Sequence, residues 1–427
     1  MKKNKLIINY PMLKWAKSLF PLCRSLTGKG TQETLRFFKN INKEFKILKF
    51  KSGTKVFDWK IPLEWNIRDG YIQHESKKKF AQFKKCNLHV IGYSQPINKK
   101  MNRETLLKNI YTQKNQPNAI PYVTSYYKKR WGFCMSEKQK KSLPKGNYKV
   151  FIDSDLKRGF LEIMQAKITG KSKKEIFFSS YVCHPSMANN ELSGPVLLNA
   201  IMKYIKDTYP KRKFSYRFVL LPETIGSIAY ISKFKSELKK RIICGFNLTC
   251  VGDERAYTMI ETPYRNTLAD RALYAVLKDK KKFTKYSFLK RGSDERQYCS
   301  PNIELPVCSF LKSKKFPEYH TNLDNFDVVT RKGLEQSLDV FKSIIDTFET
   351  GLYPKSTVLG EPNLGKRGLY PTISQKGILG REIEKRMNLI AYSNGKNDLF
   401  KISNLTNISP RELCKEYMLL KSRKVLR

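Results

Sequence analysis

Four histidines occur in the 427 residues, and two of them stand in polar company that suits chemistry. His184 lies in YVCHPSMANNELSGP (181–195), close to Glu191, and His320 lies in FPEYHTNLDN, beside Glu318 and Asp324. Two further strings set carboxylates in short loops: LLPETIGS carries Glu223, and RGSDE carries Asp294 and Glu295. Imidazole with carboxylate is the usual ligand set of catalytic zinc, which keeps one position open for water. A lone histidine more often serves packing, and His74 and His89, in strand-and-turn sequence, read that way. Two histidines in polar loops, accompanied by these carboxylates, point instead to a metal site.

The elements that would position these loops follow from periodicity. From Tyr148 onward, apolar strand candidates (Leu161–Thr169, Ile176–Val182, Tyr216–Leu221, Ile242–Leu248) alternate with helix candidates (Val196–Lys206, Ile225–Lys239, Leu268–Lys278). Such alternation predicts an α/β fold, a mainly parallel sheet covered by helices, whose site lies at the C-terminal strand ends. His184 and Glu223 fall at such strand-to-helix crossings. Residues 10–50 read as two amphipathic helices, the second running from Leu35 to Ile47, with the turn LTGKG at 26–30 between them. Residues 55–135 are short aromatic and β-branched runs broken by Pro, Gly and Asn, which predicts a small β-rich insertion. After Leu352 comes a Gly- and Pro-rich loop, then three short helix candidates, Ile383–Ala391, Leu399–Leu405 and Pro410–Leu419. Ser409 is a good N-cap before Pro410, and the trio suits a winged-helix module. The expected domains are therefore 1–54 with 136–352 (α/β), 55–135 (insertion) and 353–427 (winged helix).

The strings VFDWKIPLEWNIRD, CHPSMANNELSGP, PETIGSIAY and RGSDERQY occur in the order found in a known group. The chain resembles the bacterial aminopeptidase-like proteins long filed as a domain of unknown function, relatives of the di-zinc aminopeptidases, over nearly its whole length. The resemblance implies a phosphorylase/aminopeptidase-like mixed sheet sandwiched by helices, a β-rich insertion and a C-terminal winged helix. It also implies a hydrolase that cleaves an amide with metal-activated water, and a link to surface-polysaccharide biosynthesis. By the same resemblance Glu223 aligns with the general base.

Three positions depart from the di-zinc pattern. Asn190 stands where a metal-bridging Asp is expected, Thr224 where a second Glu is, and Thr249 at a later Asp, although Asp253 follows closely. Two divalent ions without those carboxylates would leave positive charge uncompensated, so one Zn²⁺ is expected rather than two. The expected ligands are His184, Glu191 and His320, with Glu191 standing in for the displaced Asp. Asn190, Asp294 and Glu295 are expected around the cleft, the last two to hold a substrate ammonium; helix capping and a surface ion pair are their plain alternative.

Lys and Arg number 83 against 37 Asp and Glu, a formal charge of +46. The basic runs are scattered rather than gathered in one aromatic-laced stripe, so solvated faces explain them better than a nucleic-acid groove. The Pro410–Leu419 helix carries Glu412 and Glu416, which dilutes any DNA-reading character. The rival function is a degenerate, non-catalytic ligand-binding or regulatory protein coupled to the winged helix. A third is glycan binding on Trp59, Trp65, Tyr71, Tyr126, Tyr127 and Trp131, residues that more often fill a small β core. The nine cysteines lack CxxC spacing and sit in apolar runs, which fits a reducing cytoplasm. Lys2 and Lys3 mimic the start of a signal peptide, but Lys14 and Lys17 interrupt the apolar stretch that follows, and no span is expected. The expected partner is a small-molecule, peptide or amino-sugar substrate, with homo-oligomerisation left open.

Overall fold

A computed structural model describes residues 10–370 and 380–427; Lys2, Lys3 and the end of the Gly/Pro-rich loop lie outside the described residues. Eight strands form one mixed sheet. In chain order they are β1 (Lys46–Lys51), β2 (Phe160–Ile168), β3 (Glu175–Tyr181), β4 (Ser215–Leu221), β5 (Ile242–Leu248), β6 (Tyr257–Ile260), β7 (Phe283–Tyr286) and β8 (Val307–Leu311). Across the sheet the order is β1-β2-β4-β3-β5-β8-β6-β7, with β4, β3, β5 and β8 parallel. These central strands are almost wholly apolar because both of their faces are covered. Ile176, Phe178, Phe218 and Phe246 face a layer made by α1 (Met12–Leu19), α2 (Lys29–Ile41), α3 (Ser193–Thr208), α5 (Leu268–Leu277) and α6 (Arg331–Gly351). Phe177, Val219 and Val307 face the other way, towards α4 (Ile225–Arg241).

The strand and helix expectations for the α/β part hold to within a few residues. One does not: α2 stops at Ile41, and Ile47 belongs to β1. Asn42 is already extended (φ −126°) and its amide donates to Asn199 Oδ1 of α3 at 2.9 Å, a tertiary bond that ends the helix.

The insertion builds a four-stranded antiparallel sheet whose long central pair is Glu64–His74 against Asn147–Lys157. It therefore reaches beyond residue 135, because Tyr148, Val150 and Ile152 point into its small core with Ile72, Phe80 and Phe133. Of the aromatics considered as sugar platforms, Trp65 is buried and stacked on Tyr93, Tyr126 lies edge-on to Tyr93, Tyr71 packs on Phe151 and Trp131 packs on the insertion core. Trp59 and Tyr127 remain exposed.

The C-terminal helices are α7 (Gly380–Tyr392), α8 (Leu399–Thr406) and α9 (Pro410–Ser422). Ser409 and Glu412 close a capping box at the start of α9. α9 is the helix that such a module offers to a DNA groove. Here it lies along α6: Arg411 pairs with Asp339, Cys414 Sγ is 3.6 Å from the Thr347 hydroxyl, and Tyr417 packs over Gly351. Arg271–Asp398 and Lys278–Asn407 tie α8 to α5. Among the described residues no helix is long and apolar enough to cross a membrane.

The Gly in NNELSG has a steric reason. A Cβ on Gly194 would meet Ser180 Oγ at 2.2 Å and the Leu248 carbonyl oxygen at 2.6 Å, so α3 can start this close to β3 and β5 only without a side chain. Gly194→Ala is expected to cost about 1–3 kcal/mol through backbone displacement. A lowered urea midpoint at unchanged m-value would show it; an unchanged midpoint would contradict the packing argument.

Candidate active site

The C-terminal ends of β3, β4, β5 and β8 share one edge of the sheet, and each feeds a loop that carries a polar side chain into one cleft. His184 follows β3. Its carbonyl accepts from Arg24 Nε at 3.0 Å, and its backbone N–H donates to Glu191 Oε2 at 3.0 Å. The same carboxylate oxygen is 3.0 Å from His184 Nδ1. A carboxylate only accepts, so the ring proton sits on Nδ1 and Nε2 presents its lone pair outward. Arg24 and Glu191 have fully buried side chains, with Arg24 Nε 3.7 Å from Glu191 Oε1. Burial is the largest cause and raises the Glu191 carboxyl to about 8, with Arg24 and the backbone N–H groups of His184 and Cys183 pulling the other way. A guanidinium in this interior requires the counter-charge, and the two act as an ion pair.

Nε2 of His184 lies 3.8 Å from Glu223 Oε2, and the His184 and His320 rings are 5.4 Å apart. Tyr122 stands edge-on to both rings at 5.3 Å, and Tyr319 stacks flat on His320 at 3.9 Å. The insertion fixes this arrangement. The Tyr122 N–H donates to the His320 carbonyl at 2.8 Å, and the Ile120 N–H donates to Asn322 Oδ1 at 2.7 Å. Burial is the main cause that lowers both imidazoles to about 3, so they are neutral and able to donate lone pairs at neutral pH.

Glu223 follows β4. Its carboxyl is pushed up to about 8, first by burial and then by Asp294, which suits a group that takes and returns a proton near neutrality. Thr224, next to it, has φ +64° and ψ −75°, a strained conformation for a β-branched residue. Asp294 secures it: Oδ1 accepts from the Thr224 N–H at 2.8 Å and from the Ser227 hydroxyl at 2.7 Å. Ser186, Cys250 and His320, near the cleft, also have positive φ.

The structure brings His184, His320 and Glu223 together and moves three expected residues to other places. Glu191, expected as a ligand, lies on the Nδ1 side of His184, away from Glu223, where it orients the ring. With Cys183 and His184 it does form a close buried group, all three ligand-type atoms within 4.8 Å. Burial holds the Cys183 thiol well above its usual range. Asp294 and Glu295, expected to hold an ammonium, are fully buried. Asp294 braces Thr224, and Glu295 accepts from the N–H groups of Gly292 and Ser293, the Asn247 amide and the Ser309 hydroxyl. Asn190 does face the cleft, and its Oδ1 accepts from the Tyr181 hydroxyl, which also bonds Thr249 Oγ1. Neutral Tyr181, Asn190 and Thr249 thus satisfy one another where the resemblance implies metal-binding carboxylates. Asp253 is turned away, bonded to Asn189, Ser313 and Arg255.

Four contributors were not among the expected site residues. Asp324 holds the loop after His184 by accepting from the N–H groups of Asn189 (2.6 Å) and Asn190 (2.7 Å). Arg24 and Tyr122 come from segments with no motif, and Tyr181 opens the His184 string without having been singled out. The one available signal was Arg24 itself, a charge inside the otherwise uncharged run LFPLCRSLTG.

Comparison with known proteins bears on the family and the fold. The family described as "Domain of unknown function (DUF4910)" matches residues 13–351, and a winged helix-turn-helix family matches 352–427. A Clostridium acetobutylicum protein, described as a candidate polysaccharide biosynthesis protein with an aminopeptidase-like domain, is 38% identical over 91% of this chain and 89% of its own. A crystal structure of a candidate peptidase from Clostridium acetobutylicum superposes with a TM-score of 0.90 at 35% identity, covering 97% of this chain and 95% of that one. A zinc aminopeptidase from Bacillus subtilis shares the fold at 12% identity and a TM-score of 0.56, over 80% of this chain and 95% of its own.

Proposed function

The chain belongs to the DUF4910 family, with an aminopeptidase-like fold, and from that premise we propose that it is a metal-dependent hydrolase of an amide bond. The observation that carries this reading is the meeting of His184 Nε2, His320 and Glu223 at the parallel strand ends, with Nδ1 of His184 fixed by Glu191. Two neutral imidazoles are donors that suit zinc, and the Glu223 carboxylate beside them is left to handle the proton. His184 and His320 would hold the ion, and one ion is expected, since Asn190, Thr224 and Thr249 offer no charge to balance a second. A bound zinc supplies Lewis acidity, which makes a water more acidic and a carbonyl more electrophilic.

The chain's own residues do the rest. Glu223 removes a proton from the attacking water as its oxygen bonds the carbonyl carbon, then delivers that proton to the leaving nitrogen as the C–N bond breaks. Glu191 and Arg24 keep the His184 ring from turning, and Tyr122 and Tyr319 close the histidines off from bulk water. The name of the Clostridium relative suggests that the amide belongs to an amino sugar or an aminoacylated glycan. A cytoplasmic location, read from nine cysteines without a disulfide, is part of the same proposal.

Glu223→Gln tests the assignment. Turnover of an amide found by screening the zinc-loaded chain should fall on the order of 10²–10⁴-fold, with metal content by mass spectrometry unchanged. Loss of metal in that variant would make Glu223 a ligand and refute its role as base.

A further inference from the structure

The pocket that continues from Glu223 has a cavity volume of about 70 Å³ and runs between Ile260 and Leu311 to Lys314. At ~10–15 Å³ for each water this is room for a few waters, so it admits a small group of the substrate rather than a whole sugar ring. An amide hydrolase that recognises a free amine needs carboxylates here with unused oxygens. Glu295, on the pocket wall, already accepts four hydrogen bonds, and Asp294, whose Oδ2 has no partner, is buried beneath Thr224 and does not line the pocket. The remaining neighbours Tyr181, Asn190 and Thr249 are neutral and bonded to one another.

Lys314 is the contrasting group. It has the Tyr286 ring at 5.8 Å and no ion pair or side-chain hydrogen bond among the described residues, although the buried Glu295 carboxyl on the same pocket wall acts on it as an opposite charge. The rim is basic as well: Lys290 and Lys315 are exposed near it, and Arg296, bonded to Thr224 Oγ1, is exposed beside Glu223. The whole chain carries a formal +46, a field that draws anionic molecules towards the surface.

We propose that this pocket binds an anionic oxygen group of the substrate, a carboxylate or a phosphate, through Lys314. The inference rests on the hydrolase reading for the placement of the scissile amide beside Glu223, and it names the substrate class: an amide whose near end bears an acid rather than an amine. A lysine suits either acid, because it acts as a point charge and does not demand the planar two-pronged match of arginine.

Three short amides of matched length test this on the full chain by calorimetry: N-acetyl-β-alanine, its neutral primary amide, and O-phospho-N-acetylethanolamine. The acids should bind the wild type about tenfold more tightly than the neutral amide, and added salt should narrow the gap. In Lys314→Met, checked for folding by circular dichroism, the preference should shrink to within about twofold, with Lys314→Arg keeping part of it. Whichever acid binds more tightly identifies the group. Equal binding of acid and neutral probes, no binding of any probe at millimolar concentration, or a preference unchanged in Lys314→Met overturns the inference. If Lys314→Met does not fold, Lys314→Gln decides by the same comparison. Turnover without a charge preference would refute this inference alone; a charge preference in a chain that takes up no metal would refute the hydrolase reading alone.

Discussion

Arg24→Met is expected to destabilise the folded chain by about 3–5 kcal/mol, because it leaves the Glu191 carboxylate buried without its counter-charge. Both side chains are fully buried and their charged atoms are 3.7 Å apart. The arginine also donates to the carbonyls of Leu19, at the end of α1, and of His184, so its loss leaves both acceptors without that donor. Replacing both partners, Arg24→Met with Glu191→Met, removes the charges together and should recover more than half of the loss, since an uncharged pair pays no desolvation. Urea unfolding of the two single variants and the double variant measures this as a coupling energy. A double variant that loses the sum of the two single effects would show that the residues do not act as a pair. Arg24→Met should also weaken zinc by about 10–100-fold where it remains folded, the scale found when a group that orients a ligating histidine is removed.

The second large effect concerns the metal itself. The chain purified without chelators is expected to hold about one zinc, and His184→Ala and His320→Ala should each release it, since catalytic sites of this kind have few protein ligands. Glu191→Gln should retain the ion at reduced affinity, because the carboxylate acts through Nδ1 of His184 and not on the metal. Mass spectrometry on the four proteins separates the cases. Glu191→Gln as empty as His184→Ala would restore Glu191 to the ligand set. A wild type that takes up no zinc, even after incubation with it, would turn the reading towards a non-catalytic binding protein.

The sheet and its helices, apart from the end of α2, were legible because burial writes itself into local periodicity. EIFFSSY, SYRFVLL and IICGFNL are rich in apolar residues since both faces are covered, and Ser409 and Glu412 announce the start of α9 within four residues of chain. The proposed site residues stand out for a related reason: His184 and Glu223 stand in short loops at strand ends and His320 in the long connection between β8 and α6, where polar side chains are conspicuous. The sequence by itself therefore determined the α/β layers, the attached modules and the groups able to do chemistry. It could not determine which oxygen meets which nitrogen. Glu191 looked like a ligand until Arg24, brought in from the N-terminal segment, drew its carboxylate to the far side of the His184 ring. Asp294 and Glu295 looked free until Thr224, Ser227, Asn247 and Ser309 closed on them. Even the edge of the insertion depended on the pairing of Glu64–His74 with Asn147–Lys157. Those assignments belong to the tertiary structure. A buried polar group is placed by whichever partner satisfies it, and here the partners come from segments far apart in the chain, beyond the reach of local pattern.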